Sequence, residues 1–125
     1  MDAECKRAAF WRGIDCFNRR QFFTCHEVLE EIWLEEPPEE KPFYQGLIQV
    51  AAAFHHFQQR NRKGMHSLLE AGAEKLRLYP PDYQGLDVAG LLRALEPWLE
   101  RLARREGLNT LPLPTIKRTP TDAPR

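Results

Sequence analysis

Apolar residues recur every three or four positions along most of this 125-residue chain, and pairs of prolines interrupt the pattern at 37–38 and 80–81. This spacing places apolar side chains on one face of an α-helix. No segment alternates apolar and polar residues over the length of a half-buried strand, and no repeat of solenoid length occurs. The pattern therefore predicts an all-α fold, a compact antiparallel helical bundle built on three core helices with flanking helices.

Proline, glycine and capping residues set the expected helix boundaries. We expect helices over 3–17, 19–35, 39–61 and 63–79, and a last helix from 88 onward. Asn18 followed three residues later by Gln21 has the spacing of a capping box, which predicts that the second helix begins at once. Asp87 is the predicted N-cap of the last helix. Pro97 should kink that helix or split it.

The composition changes after Gly107, where the chain reads LNTLPLPTIKRTPTDAPR. The prolines of this segment lack a backbone donor and favour extended geometry. We therefore expect two parts, a helical bundle domain over 1–106 and a Pro/Thr-rich tail over 107–125 that is extended or disordered. Deleting residues 108–125 is expected to leave the melting temperature almost unchanged.

The length of the chain and its cysteines limit which classes of protein it can belong to. A chain of this size can bury a self-sufficient core without metal or disulfide. Three cysteines at positions 5, 16 and 25 fit neither a disulfide framework nor a CxxC zinc site, so free thiols in the cytoplasm are expected. The first residues are charged where a secretory signal needs an apolar core, and the run GLIQVAAAF is too short to cross a bilayer. We expect no membrane partner.

The formal charge balances, with 18 basic and 18 acidic residues, so no global field attracts an anionic partner. Local charge is uneven, because 27–40 is rich in glutamate while basic clusters occur at 60–63 and 101–105. We interpret these clusters as solvated helix faces and ends that match the helix dipoles. On this basis no nucleic-acid partner is expected, and a homo-oligomer is compatible with the sequence.

The stretch FFTCHEVLEEIW contains two polar residues on the apolar side of the second helix. At about 100° per residue, His26 and Glu30 fall between Trp33 and Phe23, within the apolar arc. A buried carboxylate is costly unless it is hydrogen-bonded or paired. His26 and Glu30 lie one helical turn apart, so we predict that they contact each other or share a partner such as Gln49.

This pair admits two interpretations. In the structural one, which we favour, it fixes how the second helix meets the third, and Glu30→Ala should destabilise the fold by about 1–3 kcal/mol. In the functional one, His26 is a general base oriented by a carboxylate, or both residues bind a metal. The second histidine of HExxH is missing, and so is the ExxH motif of di-iron bundles. We therefore predict no metal ligands and no cofactor, and assign no catalytic residue.

The candidate site joins side chains from the second and third helices. Its expected polar cluster is His26, Glu27, Glu30, Gln45 and Gln49. Its expected pocket aromatics are Phe23, Trp33 and Tyr44. Gly46 favours close approach of another backbone at this level, which supports contact between the two groups. His55 is expected at the edge of the apolar face, and no partner is identified for His66.

The succession of Asn18, HEVLE at 26–30, Trp33 and FYQGLIQ at 43–49 resembles the DUF309 family of uncharacterised bacterial and archaeal proteins. The resemblance extends through Asn61, Gly64 and the fourth helix, covering roughly residues 5 to 100. It implies a compact bundle around three antiparallel helices and no established activity. The Pro-rich tail and Met65, where an alanine is more usual, depart from the pattern.

Two functions follow as hypotheses. The first is a small cytoplasmic module that binds a protein or a small molecule in the groove between the second and third helices. Many aromatic residues around a few convergent polar groups favour it. The alternative is a hydrolase, with or without metal, that uses His26 with Glu27 or Glu30.

Overall fold

The computed structural model describes residues 1–119. The described chain is mostly helical, which confirms the predicted all-α class. Its helices are α1 (Ala3–Asn18), α2 (Phe22–Glu35), α3 (Lys41–Gln58), α4 (Arg62–Leu76) and α5 (Val88–Arg104). Between α4 and α5, the strands β1 (Asp82–Tyr83) and β2 (Leu86–Asp87) pair as a short antiparallel hairpin.

Successive helices run antiparallel, and contacts between their ends fix this arrangement. The amino group of Met1, before α1, lies 2.9 Å from the carboxylate of Glu35, at the end of α2. At the opposite end, Gln58 Nε2 of α3 donates to the carbonyl oxygen of Arg20, 3.0 Å away, just after α1. The ends of α1 and α3 therefore lie together with the start of α2, and a hydrogen bond from Arg62 to the Arg101 carbonyl oxygen joins the start of α4 to the end of α5.

The core is rich in aromatic rings in edge-to-face and tilted contacts. Phe54 lies at its centre, with ring centroids 5.6 Å from Phe22, 6.3 Å from Phe17 and 5.0 Å from Trp98. All four rings are almost fully buried. Such geometry adds to the stabilisation from burial alone. The core thus joins α1, α2, α3 and α5 around one phenylalanine.

Helices α3 and α4 approach closely where two glycines face each other. A Cβ added to Gly72 would lie 2.8 Å from the carbonyl oxygen of Gly46 and 2.9 Å from Val50 Cγ2. Only glycine therefore fits here without a shift of backbone. The close neighbour predicted for Gly46 exists, but it belongs to α4 and not to α2.

Capping was predicted correctly for the last helix and incorrectly for the second. Asp87 accepts from Gly90 N at 2.9 Å, as expected of an N-cap. The predicted capping box is wrong, because α2 begins three residues later than expected and Gln21 makes no side-chain cap. Arg20 adopts a left-handed conformation with φ of 67°, which ends α1 before α2 can start. The side-chain amide of Asn18 instead hydrogen-bonds to the backbone of Ile116.

The segment after α5 is extended and lies on the bundle. Asn18 Nδ2 donates to the carbonyl oxygen of Ile116 at 2.8 Å, and Asn18 Oδ1 accepts from the Ile116 backbone N–H at 2.7 Å. Trp98 Nε1 donates to the carbonyl oxygen of Pro112 at 3.1 Å. Leu108 and Ile116 are 7% and 4% exposed and belong to the core. Helix α5 is not split at Pro97.

These contacts reverse the expectation that deleting residues 108–125 leaves stability unchanged. Removing Leu108 and Ile116 would uncover core side chains, and burying each such side chain contributes about 1.5–3 kcal/mol. We now expect the deletion to lower the melting temperature clearly. Residues 120–125 of the predicted tail lie outside the described residues.

Candidate functional site

The predicted contact between His26 and Glu30 is present. His26 Nε2 lies 3.3 Å from Glu30 Oε2, one helical turn away on α2. The pair is less buried than its place in the apolar arc suggested, with side chains 30% and 49% exposed. The arc ends at the boundary of the core, where α3 covers His26 from one side only. The pair is therefore a surface feature with one buried edge.

The buried edge of His26 is its Nδ1 atom. This atom has no hydrogen-bond partner within residues 1–119. An unpaired N–H is costly to bury, so the arrangement favours the tautomer that carries its proton on Nε2 and donates it to Glu30. In that tautomer the nitrogen that can accept a proton is Nδ1, which is buried. Such an imidazole is poorly placed to act as a general base toward a molecule arriving from solvent.

The glutamines of α3 do not join this pair. Gln49 Oε1 accepts from Lys75 Nζ of α4 at 3.0 Å. Gln45, one turn earlier on α3, makes no hydrogen bond to His26 or Glu30 in the part of the chain described. The expected cluster of five polar side chains is thus divided. The glutamines of α3 were expected to face α2 because their common face was identified without knowing which neighbouring helix it meets.

Glu27 lies on an exposed strip of α2 that we call the outer face, formed by Phe23, Glu27, Glu30 and Leu34. At about 100° per residue these four positions span an arc of about 60°. Phe23 and Leu34 are 52% and 64% exposed, which is unusual for large apolar side chains. Glu27 is exposed and has no ion-pair partner within residues 1–119. The outer face therefore presents two apolar ends around two carboxylates.

A small cavity opens beside the outer face, between α2 and α3. It has a volume of about 160 Å³ and is lined by Phe23, His26, Ala52, His55 and His56. The Phe23 ring lies 5.9 Å from the ring of His26 and 5.2 Å from that of His55, measured between centroids. An apolar cavity of about 150 Å³ is large enough for a benzene ring. The volume therefore matches one aromatic or branched aliphatic side chain.

Three of the lining residues, Ala52, His55 and His56, were not among the predicted site residues. His56 Nδ1 lies 2.9 Å from Asn61 Nδ2, and Asn61 caps α4 by accepting from Gly64 N at 3.0 Å. This link fixes the ring of His56 at the end of α3. His55 was expected at the edge of the apolar face, where it lies. The sequence feature that could have identified His55 and His56 as site residues is their adjacency at the end of an apolar helix.

The other two candidate aromatics lie away from this cavity. Trp33 is covered by Lys41, whose Nζ lies 4.4 Å from the ring centroid and donates to the Trp33 carbonyl oxygen at 2.7 Å. Tyr44 is 4% exposed and packs against Phe10 and Phe43 in the core. Of the three predicted pocket aromatics, Phe23 alone lines the cavity.

A buried carboxylate that the sequence analysis did not identify lies near Tyr44. The Glu36 side chain is 7% exposed, and its Oε1 lies 3.4 Å from Lys6 Nζ. Burial raises the pKa of Tyr44 above its usual value, and the Glu36 carboxylate raises it further. Nearby, burial and a hydrogen bond to Glu40 raise the pKa of Tyr83 to about 12. The Lys6, Glu36 and Tyr44 side chains thus join α1 to α2 and α3.

Within residues 1–119 the structure contains neither a three-ligand metal cluster nor a membrane-spanning helix. No three His, Cys, Asp or Glu side chains in this range are placed to hold one metal ion. His66, for which no partner was predicted, lies 2.8 Å from Glu70. No helix in the same range combines the length and apolar character needed to cross a bilayer.

Comparison with known proteins identifies similar sequences of unassigned activity. The family model described as "Domain of unknown function (DUF309)" matches residues 10–68, which confirms the resemblance. The chain is 32% identical over 101 residues to "Uncharacterized protein YpuF" of Bacillus subtilis (strain 168), covering 76% of this chain and 56% of YpuF. It is 30% identical over 81 residues to an uncharacterized protein of Aquifex aeolicus (strain VF5), covering 64% of this chain and 24% of that protein. The chain thus spans about half of the first relative and a quarter of the second.

Proposed function

Residues 10–68 carry a DUF309 domain, whose activity is not assigned, and we propose that the domain is a protein-binding module. The outer face of α2 receives a partner segment, and the cavity beside Phe23 takes one aromatic or branched aliphatic side chain of that segment. A positively charged side chain of the partner lies next to it and meets Glu27 and Glu30.

The observation that carries this proposal is that Phe23 is exposed at the mouth of a cavity large enough for one aromatic ring. Phe23 is 52% exposed although the cavity wall behind it is formed by apolar and imidazole groups. An inserted ring would cover Phe23 and contact the imidazoles of His26 and His55. Aromatic pairs of this kind contribute about 0.5–1.5 kcal/mol beyond burial. Leu34 gives the partner a second apolar contact three turns along the helix.

Charge selects the chemistry of the partner. Glu30 lies 3.3 Å from His26, and His26 lines the cavity, so a carboxylate lies at the cavity rim. Glu27 adds a second carboxylate on the same outer face. Complementary charges increase association rates and exclude wrong partners. A basic residue beside the inserted side chain is therefore favoured over an acidic one.

The hydrolase alternative has less support than binding. The proton-accepting nitrogen of His26 in the favoured tautomer is buried, and the residues lining the cavity include no serine, threonine or cysteine. A nucleophile within hydrogen-bond reach of the base is the usual sign of covalent catalysis. We also place the protein in the cytoplasm, since all three cysteines are free thiols.

Titration with two acetylated tripeptide amides tests the proposal, one of sequence Lys-Phe-Lys and one of sequence Glu-Phe-Glu. Nuclear magnetic resonance of the imidazole C–H groups follows His26, His55 and His56 directly. The basic peptide is expected to shift these resonances and to bind at least about tenfold more tightly than the acidic one, a difference of about 1.4 kcal/mol.

A matched pair of variants locates the site. Phe23→Ala should abolish the shifts, whereas Leu78→Ala, at a position 75% exposed after α4, should leave them unchanged. Equal binding of the two peptides would remove the role given to Glu27 and Glu30. Unaltered shifts in Phe23→Ala would refute the binding site itself.

A further inference from the structure

The fold brings the two basic clusters of the sequence to one end of the bundle. Arg62 Nη2, at the start of α4, donates to the carbonyl oxygens of Arg101 at 2.9 Å and of Glu106 at 2.6 Å, both at the end of α5. The clusters at 60–63 and 101–105 therefore form one surface, although about 40 residues separate them in the sequence. The net charge of zero does not reveal this local excess of basic residues, because it is a sum over the whole chain.

Two open grooves cross this surface, and Arg62 lines both. The first, of about 700 Å³, is lined by Phe57, Gln58, Arg60, Arg62, Gly107, Leu108 and Asn109. The second, of about 780 Å³, is lined by Arg62, Lys63, His66, Ser67, Glu70, Leu102 and Arg105. Glu70 is the one carboxylate among these residues, and it lies 2.8 Å from His66. We call the pair of grooves the basic track.

Part of this charge has a structural role, and part does not. Arg62 satisfies carbonyl groups at the end of α5, and Arg101 holds the Gly107 carbonyl and the Thr110 hydroxyl at 3.0 and 2.6 Å. Within residues 1–119, no carboxylate lies at ion-pair distance from Arg60, Lys63 or Arg105. The charges of these three exposed side chains are therefore available to a ligand.

Two of the unpaired residues, Arg60 and Arg105, lie at backbone positions that suit glycine. Arg60 and Arg105 have φ of 58° and 57°, in the left-handed region. Both follow a helix end, where glycine is the residue that adopts this conformation at least cost. Arg20, outside the two grooves, has the same conformation, so the conformation itself does not mark a binding residue. It does make glycine a tolerated replacement at positions 60 and 105, which separates loss of charge from loss of fold.

We propose that the basic track binds the sugar–phosphate backbone of nucleic acid without reading the bases. Guanidinium groups match phosphate geometry in a bidentate manner, and neutral donors such as Gln58, Ser67 and Asn109 commonly contact phosphate and sugar oxygens. The two adjoining grooves suit a ligand whose charge repeats along a chain. Phe57 is the aromatic residue of the track, and its ring packs on Trp98 at 5.0 Å, so it is not free to stack on a base.

Fluorescence anisotropy on the full chain tests the proposal with a fluorescein-labelled thymidine oligomer of about 20 nucleotides, a mixed-sequence oligomer and a duplex of the same length. The two single strands should bind equally. The logarithm of the association constant should fall linearly with the logarithm of salt between about 50 and 200 mM, by about 0.7 for each phosphate contacted on a single strand. The duplex arm then measures which form of the backbone is preferred.

The triple variant Arg60→Gln, Lys63→Gln, Arg105→Gln should weaken binding at least tenfold and make the salt slope shallower by about 2, because three phosphate contacts are lost. The matched control Arg12→Gln, Arg93→Gln, Lys117→Gln removes the same charge from exposed positions outside the track and should change binding little. Equal losses in the two triple variants would overturn the proposal.

A second variant separates charge from folding. Arg60→Gly with Arg105→Gly should raise the melting temperature, because glycine suits both backbones, and should still weaken binding. Unchanged binding in this variant would overturn the proposal. So would tighter binding of a labelled polyglutamate peptide than of either oligonucleotide, since the track would then fit an acidic protein.

Discussion

Asn18→Asp distinguishes a local role of this side chain from a long-range one. A capping box would accept the change, because aspartate and asparagine are equally good N-caps. In the structure, Asn18 instead binds both backbone groups of Ile116, 98 positions away. Aspartate keeps an acceptor for the Ile116 N–H but replaces the amide donor with an oxygen facing a carbonyl at 2.8 Å.

The expected loss follows from these two hydrogen bonds. One bond is removed, which costs about 0.5–1.5 kcal/mol, and the facing oxygens add repulsion. Both bonds are partly buried, so we expect a decrease of about 1–2 kcal/mol in the free energy of unfolding. For a chain of this size the melting temperature should fall by about 4–8 °C.

Urea unfolding followed by circular dichroism measures the change, in the full chain and in a chain ending at Gly107. Because its partner is absent from the shorter chain, Asn18→Asp should have no effect there, and the difference between the two chains is the coupling energy. An equal loss in both chains would refute the contact with Ile116. A full-chain variant that melts within about 1 °C of wild type would refute the estimated magnitude.

Three further predictions concern other parts of the bundle. Glu30→Ala should cost at most about 0.5 kcal/mol in urea unfolding, less than the sequence suggested, because the pair is half exposed; a loss above about 1 kcal/mol would contradict this. Gly72→Ala should destabilise by about 1–3 kcal/mol because its Cβ would meet α3 at 2.8 Å, while Gly107→Ala meets nothing and serves as the control. The folded pKa of Tyr83 is raised above its ordinary value of 10.0 to about 12 by burial and by Glu40, so its contribution to stability is complete below pH 10 and is lost as pH rises toward 12. Melting curves of Tyr83→Phe should decline less steeply over that interval, and an identical decline would exclude this residue as a cause.

Except for the capping box at Asn18, features that depend on residues within one helical turn were predicted correctly. The Asp87 cap, the His26–Glu30 contact and the apolar faces that produce an all-α bundle are of this kind. Each follows from a rise and rotation that are the same in every α-helix. The sequence by itself therefore determined which segments are helical and which of their side chains are neighbours.

Features that join distant segments needed the tertiary structure. Periodicity identified the polar strip of α3, but whether Gln49 meets α2 or Lys75 of α4 depends on how each helix is rotated about its axis. Asn18 fits a capping box on local spacing, yet its partner Ile116 lies near the other end of the chain. Likewise, the net charge of the chain does not tell which charged residues lie together in the folded bundle. Only tertiary packing decided that the chain after α5 covers the core and that its basic clusters meet, because such pairings depend on helix orientation, which neither spacing nor composition records.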